Sequence, residues 1–215
     1  MIETRQNTSP IAAILFDLDG TLLDSFRLHY GAYEVMFEHF GIEMSRELFL
    51  QTYSPNWYRT YEAFGLAEEH WELANSLWLE AAAVHKPELF PGVDGMLVEL
   101  GSSYQLGIVT SGSKSRVVND LDRLDIALLF STVVTGDDIV EPKPAPDALE
   151  LALGHLSILP HNAIYVGDAH ADFEMSRAAG VRFVGVASEF ANLIEDHPEY
   201  ALYPIESLPT VIKSL

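Results

Sequence analysis

Five short runs of apolar residues recur along the chain, and turn residues or polar side chains bound each of them. The runs span residues 11–16, 105–109, 131–134, 163–166 and 182–186. Most of them do not alternate between apolar and polar positions, which is typical of strands that are buried on both faces of a parallel sheet. We therefore predict five strands of a mostly parallel sheet.

Helical patterns lie between these strands. Apolar residues recur at helical spacing over residues 93–100, 114–124, 145–154 and 172–179, and each segment lies close to a proline or a glycine. The alternation of strands and helices predicts an α/β fold with a doubly wound, mostly parallel sheet. Ligands of such folds bind beyond the carboxyl ends of the strands, so the residues at those ends are the first candidates for a site.

Residues 25–89 interrupt this rhythm and contain no convincing strand. Instead, apolar residues recur at helical spacing from Leu28 to Phe40, and further helical patterns follow as far as residue 84. This segment is typical of a helical domain inserted between two strands. We therefore predict an α/β catalytic core made of residues 1–24 and 90–215 and a helical cap made of residues 25–89.

The charge balance narrows the possible partners. The 215 residues include 12 Lys and Arg against 32 Asp and Glu, a formal net charge of −20, which disfavours nucleic acids and anionic membranes as partners. The chain has no cysteine, so disulfides, thiolate nucleophiles and cysteine zinc sites are excluded. The apolar run at residues 11–16 is too short for a secretory or membrane-spanning segment, and we expect a cytoplasmic protein.

Two acidic turns each follow a predicted strand. Asp17 and Asp19 come after the first strand, and Asp168 and Asp172 come after the fourth. Carboxylates this close together repel one another, so a cation or a proton must relieve the repulsion. Because no cysteine and no paired histidine accompany them, these oxygen ligands favour a hard ion, and we predict Mg²⁺.

Two further segments suit the binding of an anion. Lys143 lies between two prolines just before a predicted helix, which limits its freedom and lets it supply a fixed positive charge. Thr110, Ser111 and Gly112 offer a hydroxyl and backbone amides between a strand and a helix, an arrangement that can cradle an anion. A phosphoryl group and the carboxylates that approach it are both negatively charged, so the charge of the phosphoryl group must be neutralised. A metal ion, a lysine and backbone amides can do this.

Taken in their order along the chain, these four segments resemble the four motifs of the haloacid dehalogenase superfamily. The similarity is to the branch with a helical cap after the first motif, which includes phosphoglycolate phosphatases and β-phosphoglucomutases. It extends from Asp17 to Asp172 and implies that Asp17 is a nucleophile that forms an aspartyl-phosphate, with Asp19 as general acid and base. A carboxylate nucleophile divides one displacement into two easier steps, and a second carboxylate can protonate the leaving alkoxide.

The resemblance also implies how the phosphate and the metal are held. Thr110 and the amide of Ser111 would bind the phosphate, and Lys143 would pair with both the nucleophile and the phosphate. The implied Mg²⁺ ligands are the Asp17 carboxylate, the Asp19 carbonyl and the Asp168 carboxylate, with Asp172 acting through a water or as a brace. Gly20 would allow the tight turn after the first motif.

Outside the motifs, the resemblance points to two substrate-binding candidates. His29 falls where related sugar-phosphate enzymes carry a histidine, and a solvated helical histidine is the alternative. Arg59 lies in the aromatic stretch from Tyr53, in the part of the cap that faces the substrate in relatives. For Trp57 and Tyr61 in the same stretch, packing into the interior of the cap is the alternative to a place in the site.

The predicted function is a Mg²⁺-dependent phosphatase that hydrolyses a small phosphorylated metabolite, as a monomer or homodimer. Asp19 favours phosphoryl transfer over dehalogenation, because the dehalogenases of the family lack this second carboxylate. A phosphomutase of the β-phosphoglucomutase type would use the same Asp17 chemistry and remains the alternative. A phospho-aspartate receiver domain would lack the long insert, and a binding module without catalysis would have lost motif residues.

Overall fold

The computed structural model describes residues 10–53, 57–188 and 201–215. The described residues form eight strands, which are in chain order β1 (Ala13–Phe16), β2 (Leu23–Asp24), β3 (Glu88–Leu89), β4 (Gln105–Val109), β5 (Thr132–Val134), β6 (Ala163–Gly167), β7 (Arg182–Val186) and β8 (Leu202–Tyr203). The helices are α1 (Phe26–His39), α2 (Arg46–Thr52), α3 (Trp57–Ala63), α4 (Trp71–Ala82), α5 (Val93–Gly101), α6 (Lys114–Arg123), α7 (Asp147–Leu156), α8 (His170–Ala179) and a C-terminal helix (Leu208–Lys213).

Six of these strands form one parallel sheet in the order β5-β4-β1-β6-β7-β8. From β1, the sheet continues in chain order in both directions, through β4 and β5 on one side and through β6, β7 and β8 on the other, as in a doubly wound sheet. The predicted α/β fold is therefore confirmed. Phe16, the last residue of β1, lies opposite Ile108 on β4 and Val166 on β6. The residues that follow these three central strands therefore emerge at one edge of the sheet.

The sheet buries a hydrophobic layer on each of its faces. Successive side chains of β1 alternate between them: Ile14 and Phe16 pack with α5, α6 and the C-terminal helix, whereas Ala13 and Leu15 pack with α7 and α8. All four residues of β1 are fully buried. Burial on both faces explains why this strand reads as an unbroken apolar run in the sequence.

The four helices α1 to α4, which we call the inserted helices, lie between β2 and β3 in the chain. They share a cluster of large apolar side chains that includes Tyr33, Phe37, Phe49 and Tyr61. The Ser45 hydroxyl accepts a hydrogen bond from the Leu48 amide (3.3 Å) at the start of α2, as an N-cap does. The helical periodicity of this segment thus corresponds to helices with an interior of their own.

We expected no strand in residues 25–89, and this expectation is wrong at the end of the segment. Glu88 and Leu89 form β3, which pairs antiparallel with Leu23 and Asp24 of β2. Strands of two residues are too short to produce a recognisable hydrophobic period, so the sequence could not indicate them. The domain boundaries at residues 24/25 and 89/90 stay a prediction. No helix in the described ranges combines the length and apolar character needed to cross a membrane.

Candidate active site

The carboxyl ends of the three central strands surround a cavity of about 430 Å³. Asp17 follows β1, Thr110 follows β4 and Asp168 follows β6, and all three line the cavity. The inserted helices supply the opposite wall. This volume lies within the range of small-molecule sites, and its place at the strand ends is where doubly wound sheets bind ligands.

Lys143 is the centre of a buried hydrogen-bond network at the bottom of this cavity. Its ammonium group donates to Asp17 Oδ1 (2.6 Å), Asp172 Oδ1 (2.7 Å) and the Tyr165 hydroxyl (2.8 Å). The Tyr165 hydroxyl in turn bonds to the Val109 carbonyl (2.9 Å). Charge-assisted bonds of this kind hold both partners in fixed positions, so Lys143 keeps one Asp17 oxygen in place.

Three buried carboxylates crowd together beside this lysine. Asp17, Asp168 and Asp172 each offer an oxygen atom, and these atoms lie within 4.8 Å of one another. Burial, together with the neighbouring carboxylates, raises the pKa of Asp17 well above its usual value and that of Asp168 to about 7. Burial opposes the charge of Lys143, but Asp17 and Asp172 outweigh it and raise the pKa of the lysine.

This cluster fits a divalent cation. Its donors are carboxylate oxygens, which hard ions such as Mg²⁺ prefer, and a cation would relieve the repulsion that raises the two carboxyl pKa values. Asp168 accepts hydrogen bonds from Thr21 (3.1 Å) and Ser188 (2.5 Å), which orient it. Both Asp172 oxygens accept protein hydrogen bonds, from Lys143 and from the Ala169 amide (3.1 Å), which suits a brace.

Asp19 has different surroundings from Asp17, although only one residue separates them. The Arg116 guanidinium forms a two-point ion pair with the Asp19 carboxylate, with Nη1 3.1 Å from Oδ1 and Nη2 bonded to Oδ2. His29 Nε2 lies 3.3 Å from Asp19 Oδ1. Burial acts to raise the pKa of Asp19, but Arg116 and His29 outweigh it and lower that pKa well below its usual value.

The loop after β4 shapes the space that Arg116 fills. The Gly112 amide donates to the Thr110 hydroxyl (3.2 Å), and Ser111 and Gly112 line the cavity beside it. A side chain at position 112 would collide with the Arg116 guanidinium and would approach Val117 Cγ2 to 3.0 Å. A glycine here therefore leaves room for Arg116 to reach Asp19. At Gly20, the positive φ of 80° gives the tight turn after the first motif.

The wall formed by the inserted helices is aromatic. It includes Tyr53, Trp57, Tyr58 and Trp78, and the ring of His29 lies 5.7 Å from that of Tyr53 and 5.5 Å from that of Trp78. Trp57 thus reaches the cavity. Tyr61, by contrast, is fully buried among the inserted helices, and its hydroxyl donates to Asn75 Oδ1 (2.9 Å).

The structure does not bring Arg59 to the cavity. Its side chain is exposed on α3, whereas Tyr58 contributes to the wall and Thr60 and Tyr61 are buried. Consecutive residues of a helix are turned by about 100°, so the turn of α3 that directs Tyr58 to the cavity directs Arg59 to solvent. The expected substrate contact of Arg59 therefore lacks support in this structure.

Apart from Gly20, the other candidates line the cavity together: Asp17, Asp19, His29, Thr110, Ser111, Lys143, Asp168 and Asp172. Gly20 lies in the loop directly after Asp19. Three residues that were not predicted from the sequence also contact these side chains: Arg116, Tyr165 and Ser188. Arg116 had a usable signal, because it lies in the first turn of α6 and that helix starts at the strand edge. Tyr165 gave none, because a tyrosine inside an apolar strand reads as a packing residue.

Comparison with known sequences identifies the family. The chain matches the profile of the haloacid dehalogenase-like hydrolases over residues 14–186, from β1 to the end of β7. The chain belongs to the haloacid dehalogenase-like hydrolase family. This confirms the resemblance seen in the four motifs.

Relatives within this hydrolase family cover most of the chain. Pyrophosphatase PpaX of Bacillus velezensis is 36% identical over 182 residues, which are 82% of this chain and 83% of the relative. Phosphoglycolate phosphatase of Yersinia pseudotuberculosis is 28% identical over 207 residues, 89% of each chain. The solved structure of a haloacid dehalogenase-like hydrolase from Streptococcus pneumoniae has a TM-score of 0.80 and 25% identity, and the match covers 94% of this chain and 98% of that one.

Proposed function

We propose that this hydrolase is a Mg²⁺-dependent phosphatase that cleaves small phosphomonoesters through an aspartyl-phosphate on Asp17. The observation that carries the proposal is the 2.6 Å contact between Lys143 Nζ and Asp17 Oδ1 at the carboxyl end of β1. One carboxylate oxygen is held by a buried cation, and the site opens to a cavity lined by Thr110 and Ser111. The two relatives are named as a pyrophosphatase and a phosphatase, which also supports hydrolysis of a phosphoryl bond.

The proposed reaction has two steps. In the first, an Asp17 oxygen attacks phosphorus, and Asp19 donates a proton to the oxygen of the departing alcohol. In the second, Asp19 takes a proton from water, and that water hydrolyses the acyl phosphate and regenerates Asp17. Lys143, the Thr110 hydroxyl and the Ser111 amide neutralise charge on the phosphoryl oxygens in both steps.

Asp17, the Asp19 carbonyl and Asp168 would hold the metal, with Asp172 and Lys143 fixing the carboxylates around it. A bound Mg²⁺ would add positive charge next to the transferring phosphoryl group. Gly20 provides the tight turn directly after Asp19, in the loop that follows β1. We also propose that residues 25–89 act as a cap over this site and that His29 orients Asp19. The cytoplasmic location and the monomeric or homodimeric state stay predictions from the sequence.

The test is the Asp17→Asn variant, with Asp122→Asn as a matched control on an exposed position of α6. Asparagine keeps the shape of the side chain but cannot attack phosphorus. We expect Asp17→Asn to lose phosphate release from a phosphomonoester panel while its circular dichroism spectrum matches that of the wild type. Asp122→Asn is expected to keep its activity. Equal turnover by the two variants would contradict the nucleophile assignment.

A second measurement follows the intermediate directly. Acid-quenched wild-type enzyme that is turning over a radiolabelled substrate should carry label on the protein, and hydroxylamine should release that label, because it cleaves acyl phosphates. The Asp17→Asn protein should carry none. If hydroxylamine does not release the label, the phosphoryl acceptor is not a carboxylate.

A further inference from the structure

The wall that faces the departing alcohol differs in character from the phosphate-binding end of the cavity. The wall consists of side chains from α3 and α4 and from the residue that follows α2: Tyr53, Trp57, Tyr58, Trp78 and Leu79. Thr110 and Lys143, by contrast, belong to the part of the chain that forms the parallel sheet. An aromatic wall binds a ligand most favourably when that ligand is flat and apolar, so that it can stack on the wall or pack against it. The side chains of this wall therefore indicate which class of alcohol the substrate contains, whereas the four motifs do not.

The cations of the cavity are already committed. Among the described residues, Lys143 and Arg116 are the Lys and Arg side chains that line the cavity. Lys143 bonds to Asp17 and Asp172, and Arg116 bonds to Asp19 with a longer contact to Asp120 (3.5 Å). Neither guanidinium nor ammonium group is left over for a second anion on the substrate.

The inserted helices do not make up this deficit. Arg27, Arg46, Arg59 and Lys86 are all exposed, and within the described chain none of them lines the cavity. The Arg46 guanidinium lies over the ring of Phe26, 5.1 Å from its centroid. An anionic group brought against the aromatic wall would lose its hydration without gaining a cation, which is unfavourable.

We propose that the preferred substrates are phosphomonoesters of a neutral alcohol that carries a flat aromatic ring, with the ring held by Trp57, Tyr58 and Trp78. This specificity rests on the proposed phosphatase function. It differs from the substrates in the names of the two relatives, because pyrophosphate and phosphoglycolate each carry a second anionic group.

Two matched substrate pairs test the specificity. Adenosine 5′-monophosphate and ribose 5-phosphate share the ester and the sugar and differ by the base. Stacking one base on aromatic side chains should raise kcat/KM by about fivefold or more, mainly through KM. Ethyl phosphate and phosphoglycolate differ by the carboxylate, and the carboxylate should lower kcat/KM or leave it unchanged.

Variants of the wall locate the effect. Trp78→Leu and Tyr58→Leu should bring the kcat/KM ratio of the first pair close to one. Phe64→Leu is the matched control, because Phe64 packs on Phe37 in the cluster of the inserted helices and does not line the described cavity. It should keep the ratio. Because the readout is a ratio, a partial loss of folded protein does not alter it.

Each outcome decides between the two proposals. Equal kcat/KM within the first pair, or a preference for phosphoglycolate over ethyl phosphate, would overturn the specificity while leaving the phosphatase function intact. A base preference that Phe64→Leu removes as fully as Trp78→Leu does would also overturn it. If the enzyme hydrolyses no ester of the panel and Asp17 takes up no phosphate, the proposed function itself is wrong.

Discussion

Asp17 and Asp19 show how strongly the surroundings of a residue decide its chemistry. Asp17 lies among other carboxylates and one lysine, and burial raises its pKa. Asp19 faces Arg116 and His29, which lower its pKa. An ionised Asp19 is suited to take a proton from water in the second step of the proposed reaction. To donate a proton in the first step, Asp19 must first be protonated, which weakens its ion pair with Arg116.

The first prediction concerns Asp19→Asn. An asparagine cannot exchange a proton with the alcohol or with water, so turnover of alkyl phosphates should fall by about 10²–10⁴-fold. Phosphorylation by nitrophenyl phosphate should fall much less, because nitrophenolate leaves without protonation. Stopped-flow release of nitrophenolate in a single turnover, compared with alkyl phosphate turnover, measures the difference. Equal losses on the two substrates would show that Asp19 does not act as the acid.

At the residue scale, the sequence could predict which side chains lie at the ends of the strands, but few of the other contacts in the site. Asp17, Thr110 and Asp168 follow adjacent strands, so the topology alone brings them to one edge. Arg116 and Asp19 are 97 positions apart in sequence, and their contact depends on how α6 is placed against the first loop. Such a contact arises from tertiary packing, which local periodicity does not encode.

At the scale of elements, buried strands and amphipathic helices were predictable because each has a clear period. The predicted strand at 105–109 and helix at 114–124 match β4 and α6 to within one residue. The prediction placed the start of α7 at residue 145, but the helix begins at Asp147, after the prolines at 144 and 146. β2, β3 and β8 have two residues each and were missed, since so short a strand has no period to detect.

The turn between β4 and α6 supports the second prediction, on Gly112→Ala. A methyl group at this position would collide with the Arg116 guanidinium, which is the end of a flexible side chain and can move aside. We expect a melting temperature close to that of the wild type but a lower kcat, because Arg116 no longer holds Asp19 in place. Steady-state kinetics and a thermal melt on the same sample check both.

The control is Gly95→Ala, which alters an exposed glycine of α5 with open space around it. Alanine there should raise the free energy of unfolding by about 0.4–1 kcal/mol and leave turnover unchanged. A large loss of stability in Gly112→Ala would mean that the turn itself, rather than Arg116, needs the glycine.

At the scale of the whole molecule, the proposed metal site would link metal binding to folding, which gives the third prediction. A cation that binds the folded cluster and not the unfolded chain stabilises the protein, and at about 100 times its Kd the gain is about 2.7 kcal/mol. For a chain of this size, Mg²⁺ added after EDTA treatment should raise the melting temperature by about 5–10 °C. Asp168→Asn should reduce this rise, and Asp122→Asn should keep it. No rise at saturating Mg²⁺ would contradict the proposed metal site.

The distribution of charge over the molecule supports the last prediction. It concerns whether the enzyme hydrolyses its substrate or moves the phosphoryl group to another position of the same sugar. A phosphomutase must retain a doubly phosphorylated intermediate and reverse it, which needs a second strong anion site, usually with several positive groups. The chain carries a net charge of −20, and no Lys or Arg of the described inserted helices lines the cavity. We therefore expect water to be the acceptor. With a sugar 1-phosphate, a trace of the 1,6-bisphosphate and ¹⁸O-labelled water, labelled inorganic phosphate should form faster than the 6-phosphate; the reverse order would identify a mutase.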